Sequence, residues 1–150
     1  MPQRTPFWFL NSEVTIQLGT AESADGTSVM LFRLPKGEAP PVHVHRTEDE
    51  IFHMLSGTIR FQVDGTVTVA GAGETVLGPK GLPHGFRVLS EGAEMLVITR
   101  GAFERMVTGA ARPALRAGPP DLVIPTPEQQ EDLFNRCAAE QIDLVGPPID

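Results

Sequence analysis

The stretch Gly37-Glu-Ala-Pro-Pro-Val-His43-Val-His45-Arg-Thr-Glu-Asp-Glu50-Ile-Phe-His-Met-Leu-Ser-Gly57 holds three of the chain's four histidines between two glycines. Val42 to His45 and Glu50 to Leu55 are short runs of the kind that form strands, separated by the polar turn Arg46 to Asp49. Side chains alternate across a strand, so His43 and His45, two apart, project to one face and can chelate one ion. On the second run Glu50, Phe52 and Met54 share a face, and Ile51, His53 and Leu55 share the other. If Glu50 turns inward, His53 turns out. Glu48, in the turn, is expected to be solvated.

The remaining histidine, His84, ends a second segment, Gly73-Glu-Thr-Val-Leu-Gly-Pro79-Lys-Gly81-Leu-Pro-His84. His43, His45, Glu50 and His84 together make three neutral imidazoles and one carboxylate. That mixture suits one divalent Fe, Ni, Mn, Co, Cu or Zn ion better than calcium or magnesium. The spacing does not choose among them, and a set of hydrogen-bonded histidines without metal is the alternative.

Around these segments lie further short runs of Val, Ile, Leu, Phe and Thr: Phe7 to Leu10, Val14 to Gly19, Ser28 to Leu34, Thr58 to Val63, Thr66 to Val69, Glu74 to Leu77, Gly85 to Leu89 and Ala93 to Thr99. Most of the 15 Gly and 14 Pro fall between them, which is how turns punctuate strands, and the pattern predicts an all-β sandwich or barrel. Thr58 to Val63 alternates polar and apolar residues and meets Thr66 to Val69 across Asp64-Gly65, a strong hairpin signal. After Arg100 the period changes. Phe103, Met106, Val107 and Ala110 predict a helix over Ala102 to Ala111. Following the Pro/Gly-rich stretch Arg112 to Pro125, Thr126-Pro127-Glu128-Gln129 supplies an N-cap, a first-turn proline and a capping-box Gln. The helix that follows carries Leu133, Phe134, Cys137 and Ala138 as an apolar stripe, with Cys137 expected to be a buried, inert thiol.

With 150 residues, 41% of them hydrophobic, the chain has the size and composition of one globular domain. A formal net charge of −7 offers no basic field to attract nucleic acid or anionic membranes. One cysteine excludes an intramolecular disulfide, Met1 to Leu10 lacks the order of a signal peptide, and no apolar run approaches the roughly 20 residues that span a bilayer. A cytoplasmic location is expected.

The first segment has the form Gly, five residues, His-x-His, four residues, Glu, six residues, Gly, and it resembles the first cupin motif at every defining position. The second, Gly73, five residues, Pro79-x-Gly81, two residues, His84, resembles the second cupin motif, although Val88 stands where that motif often ends in Asn, a position taken here as a turn. With the opening Phe7-Trp8-Phe9-Leu10, the phrase Pro40-Pro41-Val42-His43-Val44-His45 and the helical tail, the chain is similar to single-domain quercetin dioxygenase-like cupins.

The resemblance implies a jelly-roll β-barrel, the double-stranded β-helix, over about residues 7–100. A short helical extension follows over about 102–145, a metal sits near the wider mouth, and the assembly is a homodimer. It also implies a small-molecule substrate, with no nucleic acid or membrane partner. The expected activity is a metal-dependent dioxygenation of an aromatic or enolic molecule, with Glu50 as the catalytic base. A zinc-dependent isomerase or polyketide-type cyclase working without oxygen, and a non-catalytic small-molecule-binding module, are the alternatives. Phe52, Met54, Phe61 and Phe86 are candidates to line the substrate pocket. Arg33 is expected on the wet face of its strand, and Trp8 over the barrel's edge or in a dimer contact.

Overall fold

The computed structural model describes residues 4–150, so the first three residues of the Met1 to Leu10 stretch lie outside the described residues. Among the described residues twelve strands form: β1 (Phe7–Phe9), β2 (Ser12–Leu18), β3 (Ser28–Pro35), β4 (Pro41–His45), β5 (Glu50–Ser56), β6 (Thr58–Val63), β7 (Thr66–Gly71), β8 (Thr75–Gly78), β9 (His84–Val88), β10 (Gly92–Thr99), β11 (Arg112–Pro113) and β12 (Ile142–Pro148). The helices are α1 (Ala102–Gly109) and α2 (Pro127–Ala139). Every strand run read from the sequence becomes a strand, within a few residues at its ends.

The strands make two antiparallel sheets, in the orders β11-β1-β2-β3-β10-β5-β8 and β12-β4-β9-β6-β7. Facing each other, they enclose one core, in which Met30, Phe52, Met54, Ile59, Phe61, Met95 and Val97 are almost wholly buried. Burying each such side chain contributes roughly 1.5–3 kcal/mol. Alternation along β3 and β10 aims every second residue at this core, and Arg33 falls on the wet side, pairing with Glu13 and Glu94 at 3.1 and 3.0 Å. Asp64 and Gly65 both take positive φ, 46° and 81°, as the tight β6–β7 hairpin requires. Gly57, closing the first motif, is fixed by space as well as by its φ of 80°: a Cβ there would come within 2.4 Å of the Gly92 carbonyl oxygen.

Beyond residue 100 the chain does more than add helices, because β12 returns to the second sheet and pairs with β4, placing Ile142 opposite His45 and Leu144 opposite His43. The capping box read at Thr126 forms in both directions with Gln129. On α2 the apolar stripe is only half used: Leu133 and Cys137 are buried, whereas Phe134 is exposed. The Pro/Gly-rich stretch is tied to the opposite end of the chain. Trp8 Nε1 donates to the Gly118 carbonyl, Gly118 N donates to Glu13, and Asn11 exchanges two hydrogen bonds with the backbone of Val123. Trp8 thus covers the barrel's edge, with the guanidinium groups of Arg112 and Arg116 within 6 Å of its ring. Among the described residues no helix is long and apolar enough to cross a membrane.

Candidate metal centre

The β4–β5 connection crosses from one sheet to the other, and this crossing builds the site. His43 and His45 on β4 and His84 on β9 come from the second sheet, where His43 and His84 are register partners. Glu50, at the start of β5, approaches them from the first sheet. All four side chains are buried, and their ligating atoms lie within 4.8 Å of one another. His84 is held from behind by Gly78, where a Cβ would sit 2.9 Å from the imidazole ring.

Three imidazole nitrogens converge on a single carboxylate oxygen: Glu50 Oε2 lies 2.7 Å from His84 Nε2, 2.9 Å from His45 Nε2 and 3.5 Å from His43 Nε2. His43 Nδ1–H donates to the Pro41 carbonyl at 2.8 Å, which leaves a lone pair on its Nε2 pointing into the cluster. His45 Nε2, despite its short distance, is not aligned to hydrogen-bond Glu50, and both nitrogens of that buried ring lack a partner. Lone pairs facing one another in a buried space repel unless a cation lies between them. These orphaned atoms and the donor set therefore fit a single metal ion.

The electrostatics agree. Burial works against the Glu50 charge, but the charge of His45 and the surrounding imidazoles, His84 among them by a hydrogen bond, hold its carboxyl well below the usual range. His43 is lowered, burial outweighing the pull of the nearby Glu50 carboxylate. For His45 burial acts downward too, yet the Glu50 and Glu48 carboxylates on either side raise it to about 9. The cluster demands positive charge, which a proton or a metal ion can supply.

Glu48 corrects the expectation of a solvated turn residue. It is buried, and its carboxylate accepts hydrogen bonds from the backbone N–H groups of Arg100, Gly101 and Phe103. Gly101, at the N-cap of α1, has no side chain to cap the helix, so Glu48 does so from across the fold. His45 and those N–H groups draw its carboxyl down against the effect of burial. His53 faces away from the cluster and bonds Thr75 Oγ1 at 2.8 Å. Val88 is not a turn residue: it ends β9, buried in the core, where an apolar side chain is the natural occupant.

Beside the cluster lies a narrow cavity of about 50 Å³, whose walls include Phe9, Phe32, Phe86, Phe103, Leu133 and Ile142. Of the four cluster residues only His43 and Glu50 reach it. Phe86 lines it, but Phe52, Met54 and Phe61 do not. These three pack below the metal ligands, Phe52 sitting 5.1 Å from Phe61 and 5.8 Å from His84 between ring centroids. They share the inward face of their strands with the site, but the barrel is filled at their level. The cavity wall is completed instead by residues of α1, α2 and β12: Phe103 and Met106, Leu133 and Cys137, and Ile142 and Leu144.

Residues 30–99 match the family model described as cupin domain, and with this two-sheet barrel and histidine–glutamate cluster the chain carries a cupin domain. Over 93 residues it is 26% identical to quercetin 2,3-dioxygenase of Bacillus subtilis (strain 168), a match covering 62% of this chain and 28% of that protein. The chain thus spans little more than a quarter of that relative's length. A structure described as a predicted oxalate decarboxylase from Thermotoga maritima superposes with a TM-score of 0.61 at 21% identity, covering 65% of this chain and 93% of the other. The polyketide cyclase RemF from Streptomyces resistomycificus gives 0.53 at 20% identity over 66% and 70% of the two chains. Both share the fold.

Proposed function

We propose that this protein is a metal-dependent, quercetinase-like dioxygenase acting on an aromatic or enolic small molecule. The observation that carries the reading is the cavity's composition: mainly aromatic and aliphatic walls with no lysine or arginine, and His43, Glu50 and Glu38 as their ionisable groups beside the Cys137 thiol. A compact dianion would find no counter-charge there apart from the metal, whereas apolar walls of this kind suit an aromatic ring that brings one anionic oxygen to the cluster. A divalent ion held by His43, His45, Glu50 and His84 would supply positive charge to stabilise a substrate enolate.

Glu50 has the place of a general base, because it alone among the carboxylates of the cluster and turn touches both the histidines and the cavity. Accepting the substrate's hydroxyl proton at a carboxylate oxygen is worth roughly 10²- to 10⁴-fold in rate. His45 and His84, which do not reach the cavity, keep to holding the cluster together. A homodimer belongs to the same proposal: β7 is a sheet edge with Val67 and Val69 exposed and no charged residue along it, open to strand pairing.

Oxygen uptake by metal-loaded protein with a panel of flavonols, catechols and enolic ketones tests the reading. Oxygen consumption that requires metal and falls at least 100-fold in Glu50→Gln is the expected result. Substrate turnover without oxygen consumption would refute dioxygenation in favour of Lewis-acid isomerisation or cyclisation. Saturable binding with no turnover would leave a binding module.

A further inference from the structure

One charged side chain in the cavity wall has no part in the metal cluster. Glu38 is 4% exposed, and its Oε2 is buried without a hydrogen-bond partner. Its polar neighbours leave that oxygen unpaired: Arg87 donates to the carbonyls of Ile149 and Gly37, and Asn11, although close enough to favour the Glu38 charge, is bonded to the backbone of Val123. Burial pushes the Glu38 carboxyl up, with Asn11 and the Arg87 charge opposing it only in part. An unsatisfied carboxylate oxygen costs stability wherever it is buried, so its retention needs a partner that the protein itself does not provide.

Position says what that partner is. The backbone of Glu38 pairs with Val88, while His84 lies four residues along the same strand. At 3.3 Å per residue this separates the two by roughly 13 Å, the span of one substituted ring plus two side chains. Phe86, between them on β9, and Ser12 line the same space.

We propose that Glu38 is a specificity-determining residue that accepts a hydrogen bond from a hydroxyl on the substrate, across the ring from the oxygen that meets the metal cluster. The inference rests on the aromatic reading of the site and narrows it to ring ligands with a polar donor at the far end. A ligand without that donor leaves the carboxylate unpaired, and sites built this way reject such analogues strongly.

The test is anaerobic calorimetry on zinc-loaded protein with two probes of nearly equal shape, 4-methylcatechol and 4-(hydroxymethyl)catechol. The wild type should bind the hydroxymethyl compound at least about tenfold more tightly. Glu38→Leu should abolish that preference and Glu38→Gln, which keeps an acceptor oxygen, should retain part of it. Glu38→Leu should also melt no lower than the wild type, since it removes an orphaned charge. Equal binding of both probes by the wild type overturns the inference and leaves the aromatic reading standing. So does a preference that survives in Glu38→Leu. Binding of neither probe overturns both, and a Glu38→Leu protein that melts several degrees lower while losing affinity for both probes alike shows a structural role instead.

Discussion

At the scale of single residues, the cluster is decided by strand parity. His43 and His45 on one strand, and Glu50 two and four residues ahead of Phe52 and Met54 on another, face inward because every second position does. The same parity separates two histidines that composition alone cannot tell apart. His84→Ala should strip metal from the protein, lowering occupancy by at least about tenfold through loss of one ligand, whereas His53→Ala should leave it unchanged. Elemental analysis after equal metal loading and desalting checks this, and equal losses would mean that β5 is out of register. Spacing therefore made the ligands legible. It could not reveal Glu48 or Glu38, because each is placed by backbone groups far away in the chain: Arg100, Gly101 and Phe103 for the first, Val88 for the second. A carboxylate in a turn carries no local sign that a helix will end on it.

At the scale of elements, the cavity wall depends on α2, whose Leu133 and Cys137 line it together with Ile142 and Leu144 of β12. A cavity of about 50 Å³ holds a few waters but is well below the volume that ring ligands occupy, so a wall element must yield when one enters. The strap before α2 is pinned by hydrogen bonds at Gly118 and Val123, and the helix itself starts on the Thr126–Gln129 capping box. Cys137 reports on this motion. Its thiol is buried and pushed up to about 12 by burial, so the expectation is that it reacts when α2 lifts. Thr126→Ala, which costs the helix start about 0.5–2 kcal/mol, should speed Cys137 alkylation by roughly 2- to 30-fold at pH 8, and a cavity ligand should slow it. Identical labelling kinetics in the variant would place the opening in another element. Helix α2 and its cap could be read from Thr126-Pro127-Glu128-Gln129, since capping is local chemistry. Which face it buries could not, for Phe134 and Leu133 are equally apolar and only the barrel's position distinguishes them.

At the scale of the molecule, ten of the strands announce themselves as short apolar runs between Gly and Pro, and the barrel follows from them. β12 stays hidden because Gly146, Pro147 and Pro148 interrupt any alternation, and the strand is held by its pairing with β4 rather than by its own pattern. The two sheets share a core, but the cluster adds a second kind of connection: three ligands belong to one sheet and Glu50 to the other. A metal bound there links the sheets directly, and because the unfolded chain does not assemble the site, binding stabilises only the folded state. With free metal at about 1,000 times its Kd the gain is about 4 kcal/mol. For a chain of this size each kcal/mol moves Tm by roughly 2–4 °C, so saturating metal should raise Tm by roughly 8–16 °C. Glu50→Gln removes the one ligand from the facing sheet and should erase most of that metal-dependent rise, while the metal-free protein still unfolds in a cooperative transition. Differential scanning calorimetry of chelator-treated and metal-loaded protein decides the matter. A Tm that does not respond to any divalent ion would mean that the proton on His45, and not a metal, balances Glu50 and holds the two sheets together at this point.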